Sequence, residues 1–109
     1  MTAKEIYRLA IASLGYGDDD VLREKAIPAA NAVYALLCRS TGKGKYHPIE
    51  TLNDRIDLPQ EVMHTAFLYG LAEKLALGTG DSEKQRYYAV MFDSARGGIN
   101  RTDRVKTVV

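Results

Sequence analysis

Apolar residues recur at helical spacing along most of this chain, and the residues that break the pattern predict four helices. Thr2 and Glu5 stand at capping-box spacing, and Ile6, Leu9, Ala10, Ser13 and Leu14 follow on one face. Gly15-Tyr16-Gly17 then supplies a stop, since glycine tolerates the positive φ of a helix end. Asp18, Asp19 and Asp20 come next. Val-Leu-Arg-Glu after them lacks the glycine and spaced oxygen ligands of a calcium loop, so the aspartates are read as an acidic cap on the next helix. In that second helix, about 21–39, Leu22, Ala26, Ala29, Val33, Leu36 and Leu37 keep phase across Pro28. The retained phase predicts one kinked helix rather than two. Ile27, Asn31, Tyr34 and Cys38 form a second, mixed face. It points either to another subunit or to an Asn31 satisfied inside the chain.

Residues 40–49, STGKGKYHPI, read as a long, mobile, basic loop. A third helix is expected from Pro59, where a missing N–H does no harm, to about Leu77, with Asp57 as an acidic cap. From Ala66 to Ala72 it has no charged or strongly polar side chain on any face, whereas a surface helix keeps one polar stripe. Such a helix must be covered on more than one side, and the expectation is that another copy or a companion protein covers it. Phe67, Gly70 and Leu71, with Ile27, Asn31 and Tyr34 of the second helix, are the candidate subunit interface. Gly78-Thr79-Gly80 ends helix three, and Asp81 or Ser82 caps the fourth, with Tyr88, Met91, Phe92 and Ala95 on its core side. Tyr87 and Tyr88 point about 100° apart, so both are buried only if two neighbours flank the helix. Gly97-Gly98 is expected to close it. Beyond, β-branched residues alternate with Arg101, Arg104 and Lys106. That segment is either a frayed end or an extended arm that orders against something else, for example by strand addition. The predicted fold is thus all-α: a small bundle of about four helices over 1–97, a long loop between helices 2 and 3, and a C-terminal arm over 98–109.

Composition narrows the class without naming a function. A chain of 109 residues with 46% apolar and 27% charged residues suits one small globular domain. A formal net charge of +1 gives no global field toward nucleic acid or a membrane surface. Cys38 is the one cysteine, which excludes an internal disulfide and reads as a small apolar residue in a reducing compartment. MTAKEIYRLA does not have the make-up of a signal peptide, and no stretch approaches the ~20 apolar residues of a membrane span.

Candidate chemistry is sparse. Gly-Lys-Gly-Lys at 42–45 lacks the frame of a phosphate-binding loop and no strand precedes it. His47 reads as a loop residue. His64 falls on a polar helix face, and two histidines with no HExxH motif do not make a metal site. Nothing is paired at catalytic spacing, so no enzyme activity, metal or cofactor is expected.

One resemblance carries further. The order of helix, acidic turn and second helix with Asn31, followed by Ile49-x-x-Leu52-x-Asp54-x-Ile56-x-Leu58-Pro59, resembles the head-to-tail connector (adaptor, head-completion) proteins of long-tailed bacteriophages and prophages. Leu68-Tyr69-Gly70-Leu71-Ala72 with Leu75-Ala76, Gly80-Asp81 and a Tyr-rich last helix extend the resemblance over most of the chain. It implies a non-enzymatic helical bundle that assembles into a ring, docks on the portal, meets a tail or stopper protein and continues the DNA channel. The location implied is the virion neck, reached from the host cytoplasm during assembly, with no membrane. On that reading Lys43, Lys45, Tyr46, Arg101, Arg104 and Lys106 are the candidates to meet the portal or passing DNA. A small helical DNA-binding regulator, with a helix-turn-helix around Gly15-Tyr16-Gly17, is the alternative. The three aspartates that open its second helix would repel phosphate.

Overall fold

A computed structural model describes the backbone of residues 1–108 and the side chains of residues 1–98. The chain is all-helical. Helix α1 is Ala3–Leu14, α2 is Asp20–Thr41, α3 covers residues 60–78 and α4 is Ser82–Val108. Helix α3 is continuous but not uniform: Gln60–Val62 and Leu68–Gly78 are α-helical, and Met63–Phe67 between them takes the wider π form.

Local chemistry sets most of these boundaries. Thr2 closes a complete capping box with Glu5, and Gly15 ends α1 at φ 74°, in the left-handed region where a Cβ would be strained. Asp19 caps α2, its carboxylate accepting from the Leu22 N–H at 2.7 Å. Pro28 lies inside a single helix, as the unbroken phase implied. Asp81 accepts from the Lys84 N–H at 3.3 Å and so begins α4. Asp57 does not cap α3 as expected; its carboxylate accepts from the Lys45 N–H instead, and Pro59 occupies the cap position.

The core is built around α3, which packs against α1, α2 and α4. Met63, Ala66, Phe67, Leu71, Ala72, Leu75 and Ala76 are fully buried, and Gly70 lies so close to Phe92 and Val33 that a Cβ there would sit 2.9 Å from the Phe92 ring. This overturns the expectation that a second molecule covers the apolar midsection. Three neighbouring helices of the same chain cover it, and such a helix needs no polar stripe. The π turn contributes to this arrangement. The buried doublets Val62–Met63, Ala66–Phe67 and Gly70–Leu71 are four residues apart, so a pure α-helix at 3.6 residues per turn would carry them steadily round its axis. A wider turn at 63–67 offsets that drift.

Two faces are rotated from their predicted positions. In α1 the buried set is Ala3, Ile6, Tyr7, Ala10, Ile11 and Leu14, whereas Leu9 and Ser13 are exposed. In α4 Phe92 is buried, with Tyr88 and Ala95 half-buried against the core and Met91 half-buried, but Tyr87 remains 59% exposed. A single covered side therefore suffices for that helix. Helix α4 also runs through Gly97-Gly98 to Val108, where a stop and an extended arm were expected. Neither glycine takes a positive φ, so neither uses the conformation by which glycine ends a helix.

Candidate interaction surfaces

The mixed face of α2 faces the chain's own long loop. Asn31 donates from Nδ2 to the Ile49 carbonyl at 3.0 Å and accepts from the Ile49 N–H at 2.8 Å, so one amide satisfies both backbone groups of that residue. One turn on, the buried Tyr34 hydroxyl donates to the Lys45 carbonyl at 2.6 Å and accepts from the Asp57 N–H at 2.9 Å. The far side of the loop is tied to the start of α1. Ala3 and Lys4, whose N–H groups have no partner within their helix, donate to the carbonyls of Asp54 and Leu52 at 2.9 and 2.7 Å. Ile56 donates back to Met1, and Thr2 and Arg55 form an isolated antiparallel bridge. Ile49 and Ile56 anchor the loop in the core. Residues 45–57 are therefore tied to α1 and α2 at several points, because buried backbone groups must find partners.

These contacts correct the proposed subunit interface. Tyr34, Phe67 and Leu71 have no exposed surface, Gly70 is packed beneath Phe92, and Asn31 is committed to Ile49. Ile27 is half-buried against the same core. Tyr34, Phe67, Gly70 and Leu71 are therefore closed to a partner, while Ile27 and Asn31 are half-buried.

The loop does bring together part of the other predicted set. Lys43, Lys45 and Tyr46 are exposed at its tip, and the Tyr46 ring meets the Tyr34 ring edge-on with centroids 5.0 Å apart. Gly44, at φ 74°, lies against the Asp57 carbonyl, so the tip is held in place from below. Arg101, Arg104 and Lys106 belong to the side chains outside the described residues. Among the described residues no group of three or more His, Cys, Asp or Glu could hold a metal ion, and no helix is long and apolar enough to cross a membrane. Cys38 is half-buried, and burial, with Asp57 nearby, pushes its thiol up from the ordinary range.

The α1–α2 corner carries an electrostatic feature that the sequence reading passed over. Asp18 accepts from Arg23 through both carboxylate oxygens, at 2.9 and 2.7 Å, and from the Tyr7 hydroxyl at 2.8 Å. Arg23 first, then Tyr7, draw the Asp18 carboxyl down from 3.8 to about 2. Burial in turn pushes the Tyr7 hydroxyl up. Glu5 is lowered by Thr2, Asp54 by the N–H groups of Glu50 and Thr51, and Asp81 by the Lys84 N–H and the Tyr16 hydroxyl. All four folded-state values lie below the unfolded ones, so the unfolded chain binds more protons as pH falls. Stability is fully present above the ordinary carboxylate range and is lost as pH drops from there toward about 2. Denaturant titrations across that window are expected to show a falling midpoint, and Asp18→Asn is expected to flatten part of the fall. The other two aspartates of the cluster are simpler: Asp19 is the cap, and the Asp20 side chain is 96% exposed.

Among the described residues the exposed large apolar side chains on helices are Leu9, Val21 and Leu77, one each on α1, α2 and α3, and Tyr87 and Val90 together on α4, at 59% and 68% exposure. Comparison of the chain with protein-family models, with curated proteins and with solved structures finds no match.

Proposed function

We propose that this chain is a head-to-tail connector of a long-tailed bacteriophage or prophage, a structural protein that forms a ring between portal and tail and continues the DNA channel. The observation that carries the reading is the order of elements and their residues: α1, an acidic turn, α2 with Asn31, the Ile49-to-Pro59 loop, α3 with Leu68-Tyr69-Gly70-Leu71-Ala72, and a Tyr-rich α4. That order resembles the connectors, and the all-helical bundle is the architecture they use. The enclosure of α3 lends no support, because the chain supplies it itself.

A ring is built from heterologous contacts, in which one face of each subunit meets a different face of the next. The contacts fall on exposed surface, of which the basic loop tip is the candidate. Lys43 and Lys45 are exposed on that tip and suit a channel wall or an acidic portal surface; few phosphate contacts leave DNA free to slide. The DNA-binding regulator is disfavoured by Asp20, whose exposed carboxylate stands at the end of α2 that would enter a groove.

The test is retention by a portal protein of the phage or prophage that carries this chain. An affinity-tagged portal is expected to hold the untagged chain through washing, and replacement of Lys43 and Lys45 by Glu is expected to weaken either that retention or the hold on packaged DNA. A portal that retains none of the chain overturns the reading.

A further inference from the structure

We propose that the outward face of α4 binds the same face of a second copy, with the two helices antiparallel about a two-fold axis. The face is composed of Arg86, Tyr87, Val90 and Asp93, all exposed, while Phe92 on the opposite side is buried beneath Gly70. Arg86, Val90 and Asp93 lie on one stripe at i, i+4 and i+7, so they project together. Among the described residues the ion pairs join Arg23 to Asp18 and Asp20, and Lys84 to Asp81; Arg86 and Asp93 take no part in any of them.

The charge order selects the occupant. In an antiparallel pair, residues whose numbers share a constant sum face each other. With that sum set so that the axis passes between Ala89 and Val90, Arg86 of each copy lies opposite Asp93 of the other. Helices packed at about 8–10 Å between axes bring such side chains within reach. Val90 and Tyr87 then meet at the centre and lose their contact with water. Parallel pairing in register would set Arg86 against Arg86 and Asp93 against Asp93, which costs rather than gains. Nucleic acid is a poor occupant, because Glu83 and Asp93 would face phosphate. About a two-fold axis the stripe is therefore complementary to itself in the antiparallel orientation.

This contact does not rest on the connector reading and needs no portal. Residues 83–96 span only about 20 Å of helix, so the face lies near the low end of specific interfaces and the dimer is expected to be weak, with a Kd of roughly micromolar order. Because the charges sit at the rim, added salt weakens it.

The test uses the whole chain in sedimentation velocity over a concentration series. A reversible monomer–dimer equilibrium is expected. Arg86→Asp places like charges together at both symmetry-related sites and is expected to weaken the dimer by about tenfold or more. The double variant Arg86→Asp, Asp93→Arg restores both pairs in exchanged form and is expected to recover the dimer. Circular dichroism shows that each variant is folded; both sites are exposed, so the fold is expected to be kept. A monomer at every concentration overturns the proposal, as does a double variant that associates no better than the single one.

Discussion

Phe67→Ala is expected to destabilise the fold by about 3–5 kcal/mol, the range for removing a large buried aromatic side chain. The ring is fully buried on α3, at the point where the π turn rejoins the α-helix, and α1, α2 and α4 all pack against that helix. A cavity there closes poorly, since moving any one wall would open its contacts with the other two. Against a total stability of about 5–15 kcal/mol the loss is large. A domain of this size is expected to lose more than about 12 °C in Tm. Tyr87→Ala removes a side chain of similar size from the exposed face of α4 and is expected to change stability by no more than about 0.5 kcal/mol in the isolated chain. Chemical denaturation of the two variants side by side checks both values. Equal effects would show that α3 is not enclosed as described.

The second large effect concerns the loop. Asn31→Ala strands the N–H and carbonyl of Ile49, a residue buried in the core, and Tyr34→Phe strands the Lys45 carbonyl and the Asp57 N–H. Leaving a buried polar group unpaired costs about 1–3 kcal/mol, so Asn31→Ala is expected to cost about that much; Tyr34→Phe, whose partners belong to the exposed Lys45 and Asp57, is expected to cost about 0.5–1.5 kcal/mol. The two residues hold neighbouring points of one loop, and their effects are expected to fall short of additive because releasing one end already frees the other. The signature is local as well as global: hydrogen exchange at Ile49 and Asp57 should speed up more than exchange in α3. Unchanged protection at those two amides would contradict the clamp.

How much of this was legible in the sequence depends on whether the cause was local. Most caps and stops were, the Asp57 cap and the Gly97-Gly98 stop excepted. Thr2 with Glu5, Gly15, Asp19 and Asp81 act within a turn of themselves, and each does what its residue type suggests. Pro28 inside one helix was legible from the preserved phase. The π turn at 63–67 was not, although the four-residue spacing of the buried doublets was a visible hint of it. The failures came where one pattern admits two partners. An apolar α3 demands cover but does not say whose, and three helices of the same chain proved sufficient. Asn31 and Tyr34 look alike whether they face a neighbour or a loop, because the hydrogen bonds they need are the same. Choosing between them requires the tertiary path of residues 42–59, which no local signal encodes. Gly97-Gly98 misled for a related reason: glycine permits a stop without forcing one.

The candidate surfaces follow the same division. Lys43, Lys45 and Tyr46 were placed correctly on an exposed tip, since a Gly- and Lys-rich loop has few places to go but the surface. The core of the predicted interface was wrong because apolarity was taken as a sign of assembly. The exposed stripe of Arg86, Val90 and Asp93 on α4 drew no reading from the sequence, which followed only the core side of that helix.

Electron microscopy of the purified chain mixed with its cognate portal puts the connector proposal to its most direct test. Rings of this chain stacked coaxially on the portal, with an open axial channel, are the predicted result. Bare portals, or copies bound without closing a ring, would contradict it.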